Sequence, residues 1–107
     1  MRAVGVVEFG GPEKLQVVEM PTPVPGAGQV RIKVHAVTVN PTDTIFRAGG
    51  QVQRMARKEP PFIPGMDASG VIDAIGPEND DRLKIGDRVV AMVLPSSEFG
   101  GAYAEQI

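Results

Sequence analysis

The sequence predicts a mainly β fold, a small barrel or sandwich with only short helical turns, and three observations lead there. Runs of β-branched and apolar residues alternate with clusters of breakers, the clearest run alternates with a period of two, and no helical period lasts beyond about two turns. The 107 residues include 13 Gly and 10 Pro. They gather at Gly10-Gly11-Pro12, Pro21 to Gly28, Gly49-Gly50, Pro60-Pro61, Pro64-Gly65, Gly76-Pro77 and Gly100-Gly101. That is turn punctuation between elements, not a low-complexity tract. A length near the mode for single domains allows one core.

In chain order, residues 2–9, with Val4, Val6 and Val7 before Phe9, and residues 15–20, with Leu15 and Val17 alternating against Gln16 and Val18, predict a hairpin across Gly10-Gly11-Pro12. Residues 29–39 carry the strongest strand signal: Val30, Ile32, Val34 and Ala36 fall on one face, Arg31, Lys33 and His35 on the other. Past His35, Val37 and Val39 make both faces apolar, which predicts a strand running from a solvated rim into a covered interior. Pro41 to Arg47 predicts one or two helical turns, because Pro suits the first helical position and Asn40 can cap it. Val52, Met55 and Ala56 have helical spacing, but Pro60-Pro61 stops them, leaving a short turn or loop. Strands are expected at 68–75 and 87–94, with a short one at 102–107.

Composition removes several function classes. With 11 Lys+Arg against 13 Asp+Glu, a net charge of −2, and only four Phe and one Tyr as aromatics, the chain lacks the basic footprint and stacking platform of nucleic-acid binders. It has no apolar run of membrane-spanning length and no basic region leading into an apolar stretch at its N-terminus, so no membrane partner is expected and a cytoplasmic location is. Zero Cys excludes disulfides, thiolate zinc sites, Cys nucleophiles and iron–sulfur ligation. One His excludes an all-imidazole metal site.

Most short motifs lead nowhere. Gly26-Ala27-Gly28 opens like a dinucleotide loop, but Arg31 stands where the third Gly belongs and a strand follows instead of a helix. Ser69, Ser96 and Ser97 lie in no nucleophile elbow, and His35, on a polar strand face, reads as a solvated surface residue. Asn79-Asp80-Asp81 lacks the Gly and the distal Glu of a calcium loop and reads as a surface loop. Arg54, Arg57 and Lys58 read as a solvated basic face. Asn40-Pro41-Thr42-Asp43 differs in kind: at the end of a strand with two apolar faces it delivers an amide and a carboxylate to the edge of the core. An amide there can hold a carboxamide or a carbonyl. The alternative, favoured by the residue pattern alone, is that Asn40 is an N-cap and Asp43 an acid complementing the helix dipole.

Four ordered stretches carry a resemblance: Asn40-Pro41-Thr42-Asp43-Thr44-Ile45-Phe46-Arg47-Ala48-Gly49, Pro61-Phe62-Ile63-Pro64-Gly65-Met66-Asp67-Ala68-Ser69-Gly70-Val71-Ile72, Ile85-Gly86-Asp87-Arg88-Val89 and Gly100-Gly101-Ala102-Tyr103-Ala104-Glu105. Together with Met1-Arg2-Ala3-Val4 and Gly10-Gly11-Pro12-Glu13, they resemble the N-terminal catalytic domain of zinc-independent quinone oxidoreductases, the zeta-crystallin-like branch of the medium-chain dehydrogenase/reductases. The likeness spans essentially the whole chain. It implies a GroES-like, partly open β-barrel over residues 1–107, with a Rossmann cofactor domain that is absent from this chain. It also implies NADPH as cofactor, a small-molecule quinone or enone-type substrate, and a homodimeric parent.

The resemblance places Asn40 and Asp43 as catalytic-site residues, and Asn40, Arg47 and Asp67 beside the cofactor. It implies no zinc, since Asn40 and Met66 stand where zinc-dependent relatives have a ligand Cys and a ligand His, and neither replaces them well. Ile45 and Gln51 stand where the family often carries Tyr, which opens the way to aliphatic enones and enals beside quinones. The chain stops in a strand-like segment, leading to the expectation of a fragment that is inactive alone. The competing reading is a non-catalytic GroES-like binding or assembly module.

Overall fold

A computed structural model describes residues 1–107. The first hairpin forms as the sequence predicts, though shorter: β1 (Arg2–Gly5) pairs antiparallel with β2 (Gln16–Glu19), Arg2 opposite Glu19 and Gly5 opposite Gln16. A 3-10 turn at Pro12–Lys14 lies in their connection. β3 (Val30–Val37), β4 (Asp67–Ile75) and β5 (Arg88–Met92) form a second antiparallel sheet in the order β3-β4-β5. Between β3 and β4 the chain makes α1 (Pro41–Arg47) and a 3-10 turn at Val52–Arg54. No helix is long and apolar enough to cross a membrane.

Residues 102–107 make no continuous strand, contrary to expectation. They form a seam instead: isolated bridges join Ala3 to Ala104 and Lys33 to Gln106, the Val4 N–H donates to the Tyr103 carbonyl at 2.7 Å, and Ile32 and Ile107 exchange bonds of 2.7 and 3.0 Å. One extended segment bonded alternately to β1 and β3 cannot extend either sheet, so it joins two sheets that remain an open, mainly β assembly.

The alternation expected along β3 is broken by irregularities between Arg31 and Ile32 and between Val34 and Ala36. Each inserts a step that turns the following side chains. Ile32 is buried, whereas Ala36 is exposed. The covered interior predicted around Val37 and Val39 is not found: Val37 is 37% and Val39 77% exposed. At β4, a Cβ on Gly70 would lie 2.1 Å from the Lys33 carbonyl oxygen, so the close approach of β3 and β4 requires glycine.

The larger of two buried apolar clusters gathers around α1. Phe46, 1% exposed, packs with Val6, Met55 and Phe62, flanked by Phe9 and Leu15. The rings of Phe9 and Phe62 stack with centroids 4.9 Å apart. A second cluster joins Ala3, Met20 and Ile63, with Val18 and Tyr103 against it. Across the seam, Arg31 Nε donates to Asp73 Oδ1 and Gln106 Nε2 to Asp73 Oδ2, each at 2.8 Å. Burial alone would push the Asp73 carboxyl up, but the bonds from Arg31 and Gln106 outweigh it and hold it below the usual carboxylate range. The stability this contributes is present above the unfolded carboxylate pKa and is lost as pH falls through the lower folded value.

Phe46→Ala should cost about 3–5 kcal/mol, because the emptied site is walled by aromatic and aliphatic side chains that cannot collapse fully. Urea unfolding followed by far-ultraviolet circular dichroism measures it.

Candidate active site

Proline sets the geometry of the candidate site before any side chain contributes. Pro41 disfavours helical backbone at the residue before it, and Asn40 adopts an extended φ of −128° and ψ of 163° as the N-cap of α1. Asp43 then supplies one half of a capping box, while the Asn40 side chain caps no backbone N–H. The Asn40 N–H donates to Asp43 Oδ2 at 2.8 Å, and the Asp43 N–H turns back to the Asn40 main-chain oxygen at 2.9 Å. The capping alternative considered from sequence is thus realised in the backbone.

Asp43 does more than cap. It is 5% exposed, and its Oδ1 accepts the Gly65 N–H at 2.9 Å. One carboxylate therefore joins the start of α1 to the chain just ahead of β4, and such charge-assisted bonds are what a buried anion needs. Gly65 has φ +103°, and a Cβ there would lie 2.6 Å from Tyr103 Cδ1. Both its conformation and its surroundings require glycine.

The Asn40 side chain looks the other way. Its Nδ2 donates to Thr38 Oγ1 at 2.8 Å, with Asp67 Oδ2 a weaker second acceptor at 3.5 Å, and Thr38 Oγ1 itself donates to Asp67 Oδ2 at 3.1 Å. The chain Asn40–Thr38–Asp67 ends on a carboxylate, so each donor has one direction to point. It fixes the amide with its nitrogen towards Asp67, and an amide oxygen has two lone pairs, leaving acceptor capacity for a ligand. Exposed Val39 and Ile45 flank this polar cluster in sequence, Ile45 at 51%.

Of the residues expected at the site, Asn40, Asp43 and Asp67 lie together. Arg47 does not join them: it sits at the far end of α1, its Nε donating to the Gly10 carbonyl and its own carbonyl accepting the Gly10 N–H, both at 3.1 Å. Sequence reasoning missed Thr38 and Tyr103. Thr38 was signalled only as a polar residue between Val37 and Val39, and Tyr103 only as the lone tyrosine after Gly100-Gly101. The Tyr103 phenol is pushed up to about 12, by burial first and then by the charge of nearby Asp43.

The residues set aside earlier stay outside. His35 is exposed, Asp80 pairs with Arg82 at 2.7 Å, and Arg57 Nε bonds the Glu59 carbonyl within its own loop.

Similarity to known proteins follows the same layout. The alcohol dehydrogenase GroES-like domain model matches residues 26–106. Human quinone oxidoreductase is 45% identical over 106 residues, covering 98% of this chain and 30% of that protein, so the chain spans about a third of such relatives. A solved quinone oxidoreductase from Coxiella burnetii has a TM-score of 0.87 at 34% identity, covering 100% of this chain and 33% of the other. A mycobacterial protein complexed with NADPH has a TM-score of 0.78 at 39% identity, covering 99% and 30%.

Asp43→Ala should destabilise the chain by about 3 kcal/mol, because it strands the Asn40 and Gly65 N–H groups. Thr44→Ala, at an exposed position of the same helix, should cost less than about 1 kcal/mol. Paired urea titrations compare the two.

Proposed function

The chain belongs to the alcohol dehydrogenase GroES-like domain family, and from that premise we propose that it is the N-terminal catalytic domain of an NADPH-dependent, zinc-independent oxidoreductase. Its substrates are quinones or activated alkenes such as enones and enals. The observation that carries this reading is the Asn40–Thr38–Asp67 chain, an oriented amide at the end of β3 with apolar residues on either side.

The nicotinamide, when bound, supplies the hydride, and this domain's part is orientation and exclusion of water. Asn40 accepts a carboxamide N–H through its side-chain oxygen, the atom that its bond to Thr38 leaves facing away from Asp67. Asp67 keeps that amide from rotating. Val39 and Ile45 give the acceptor an apolar wall, and with Ile45 and Gln51 supplying no aromatic ring, aliphatic enones and enals fit beside quinones. Arg47 holds the Gly10 corner against α1, which makes its contribution to cofactor binding indirect.

The donor set does not suit zinc. Both Asp43 oxygens accept backbone N–H groups, Asn40 offers an amide and Met66 a thioether, so Asp67 is the one carboxylate left. A Rossmann domain elsewhere in a dimeric, cytoplasmic parent enzyme would hold most of the cofactor. The exposed Val90 and Met92 of β5, at 85% and 71%, support a domain that works against further protein.

With the downstream reading frame joined to this chain, NADPH absorbance should fall in the presence of a naphthoquinone and of an alkyl enone, and a chelator should change neither rate. Asn40→Ala should lower kcat/KM about 100-fold. No turnover with either acceptor, or loss of activity to the chelator, overturns the reading.

A further inference from the structure

Tyr103 has a polar atom that nothing above uses. Its hydroxyl is buried, and no acceptor meets it in full hydrogen-bond geometry. A buried donor without a partner is rare in folded proteins and calls for an explanation. The candidate partner is fixed by what surrounds it. The Tyr103 ring lies over Gly65 so closely that a Cβ there would fall 2.6 Å from Cδ1, and the Gly65 N–H is the group bonded to Asp43 Oδ1. A carboxylate offers about four lone-pair directions, of which Asp43 uses two on Asn40 and Gly65.

The neighbouring charges are engaged elsewhere. On the segments that hold the Tyr103 main chain, Arg2 and Glu105 pair with each other at 2.8 Å on the surface. On α1, Arg47 is turned to Gly10. The Tyr103 main chain is held from both sides, since its carbonyl accepts the Val4 N–H at 2.7 Å and its N–H donates to the Pro64 carbonyl at 3.1 Å.

We propose that Tyr103 is a positioning residue of this site: its hydroxyl donates to the Asp43 carboxylate and ties the Gly101–Tyr103 segment to the cap that presents Asn40. The contact stands independently of the reaction, while its catalytic consequence rests on the oxidoreductase reading. Through it the N-terminal strand, the C-terminal seam and α1 converge on one carboxylate. The raised phenol pKa agrees, with burial the larger cause and Asp43 the second. A raised value means that the folded state holds the proton more tightly. The associated stability is present below the unfolded tyrosine value and is lost as pH rises from about 10 towards 12.

The chain has one Tyr and no Trp, so tyrosinate absorbance reports this side chain alone. In rapid pH jumps of the 107-residue protein, the midpoint should lie near 12, and Asp43→Asn should lower it by about half a unit or more while burial keeps it above 10. At neutral pH, Tyr103→Phe should keep the fold yet shift the resonance of the Asn40 amide, whose N–H is bonded to Asp43; this arm decides the matter if Asp43→Asn does not fold. In the joined enzyme Tyr103→Phe should lower kcat about 3- to 10-fold with KM for NADPH unchanged. A wild-type midpoint near 10, an unmoved midpoint in Asp43→Asn, or an unmoved Asn40 amide overturns the contact. Failure of the wild-type joined enzyme to oxidise NADPH overturns the oxidoreductase reading instead and leaves the titration to judge the contact.

Discussion

A single buried carboxylate sets the terms for the rest of this structure. Asp43 takes N–H groups from Asn40, three residues before it, and from Gly65, 22 residues after it. An anion in so dry a place is tolerable only with donors aimed at it. The chain on both sides must therefore hold still: the N-cap in extended backbone, Gly65 in a positive-φ conformation that other residues rarely take, and Tyr103 over the gap where a side chain on Gly65 would have been. The first turn of α1 is fixed by this bond, and so is the path of the chain into β4, from which Asp67 reaches the Asn40 amide.

Rigidity and packing coincide. Only 19 of 107 residues are buried, and the larger buried apolar cluster surrounds Phe46, which shares α1 with Asp43. The helix is thus held twice, by apolar packing at Phe46 and by hydrogen bonds at Asp43, while Arg47 ties its last turn to Gly10. The three-stranded sheet, by contrast, leaves Val90 and Met92 of β5 in solvent. An element of seven residues has little helical stability of its own. Its order comes from these tertiary anchors, and the residue at its cap inherits that order.

Much of this was legible in the sequence, and the limits have physical causes. The hairpin, the strands and the short helix followed from alternation and breakers, which are local signals. The seam at 102–107 was read as a strand because its composition is strand-like, but which sheet it joins is decided by long-range bonds, and it joins both. Val37 and Val39 read as interior because an apolar strand end usually is one; the irregularities of β3, which alternation cannot announce, turn its last side chains outward. Asn40 and Asp43 stood out through the Asn-Pro-x-Asp pattern. Thr38, Tyr103 and the isolation of Arg47 could not be read, since each depends on which distant group a side chain meets.

The hydrogen-bond chain also explains why an amide suits position 40 better than an acid would. Asp67 Oδ2 lies 3.5 Å from the Asn40 Nδ2 and 3.1 Å from Thr38 Oγ1. A second carboxylate at that distance would repel Asp67, and one of the two would have to hold a proton. Thr38 could not resolve the conflict, having one proton to give to two acceptors. An amide meets Thr38 with a donor, lets Thr38 pass its own proton to Asp67, and keeps a neutral oxygen for a ligand. The polarity of the site is thus set from Asp67 outward, and it ends on an acceptor that needs no change of protonation to work.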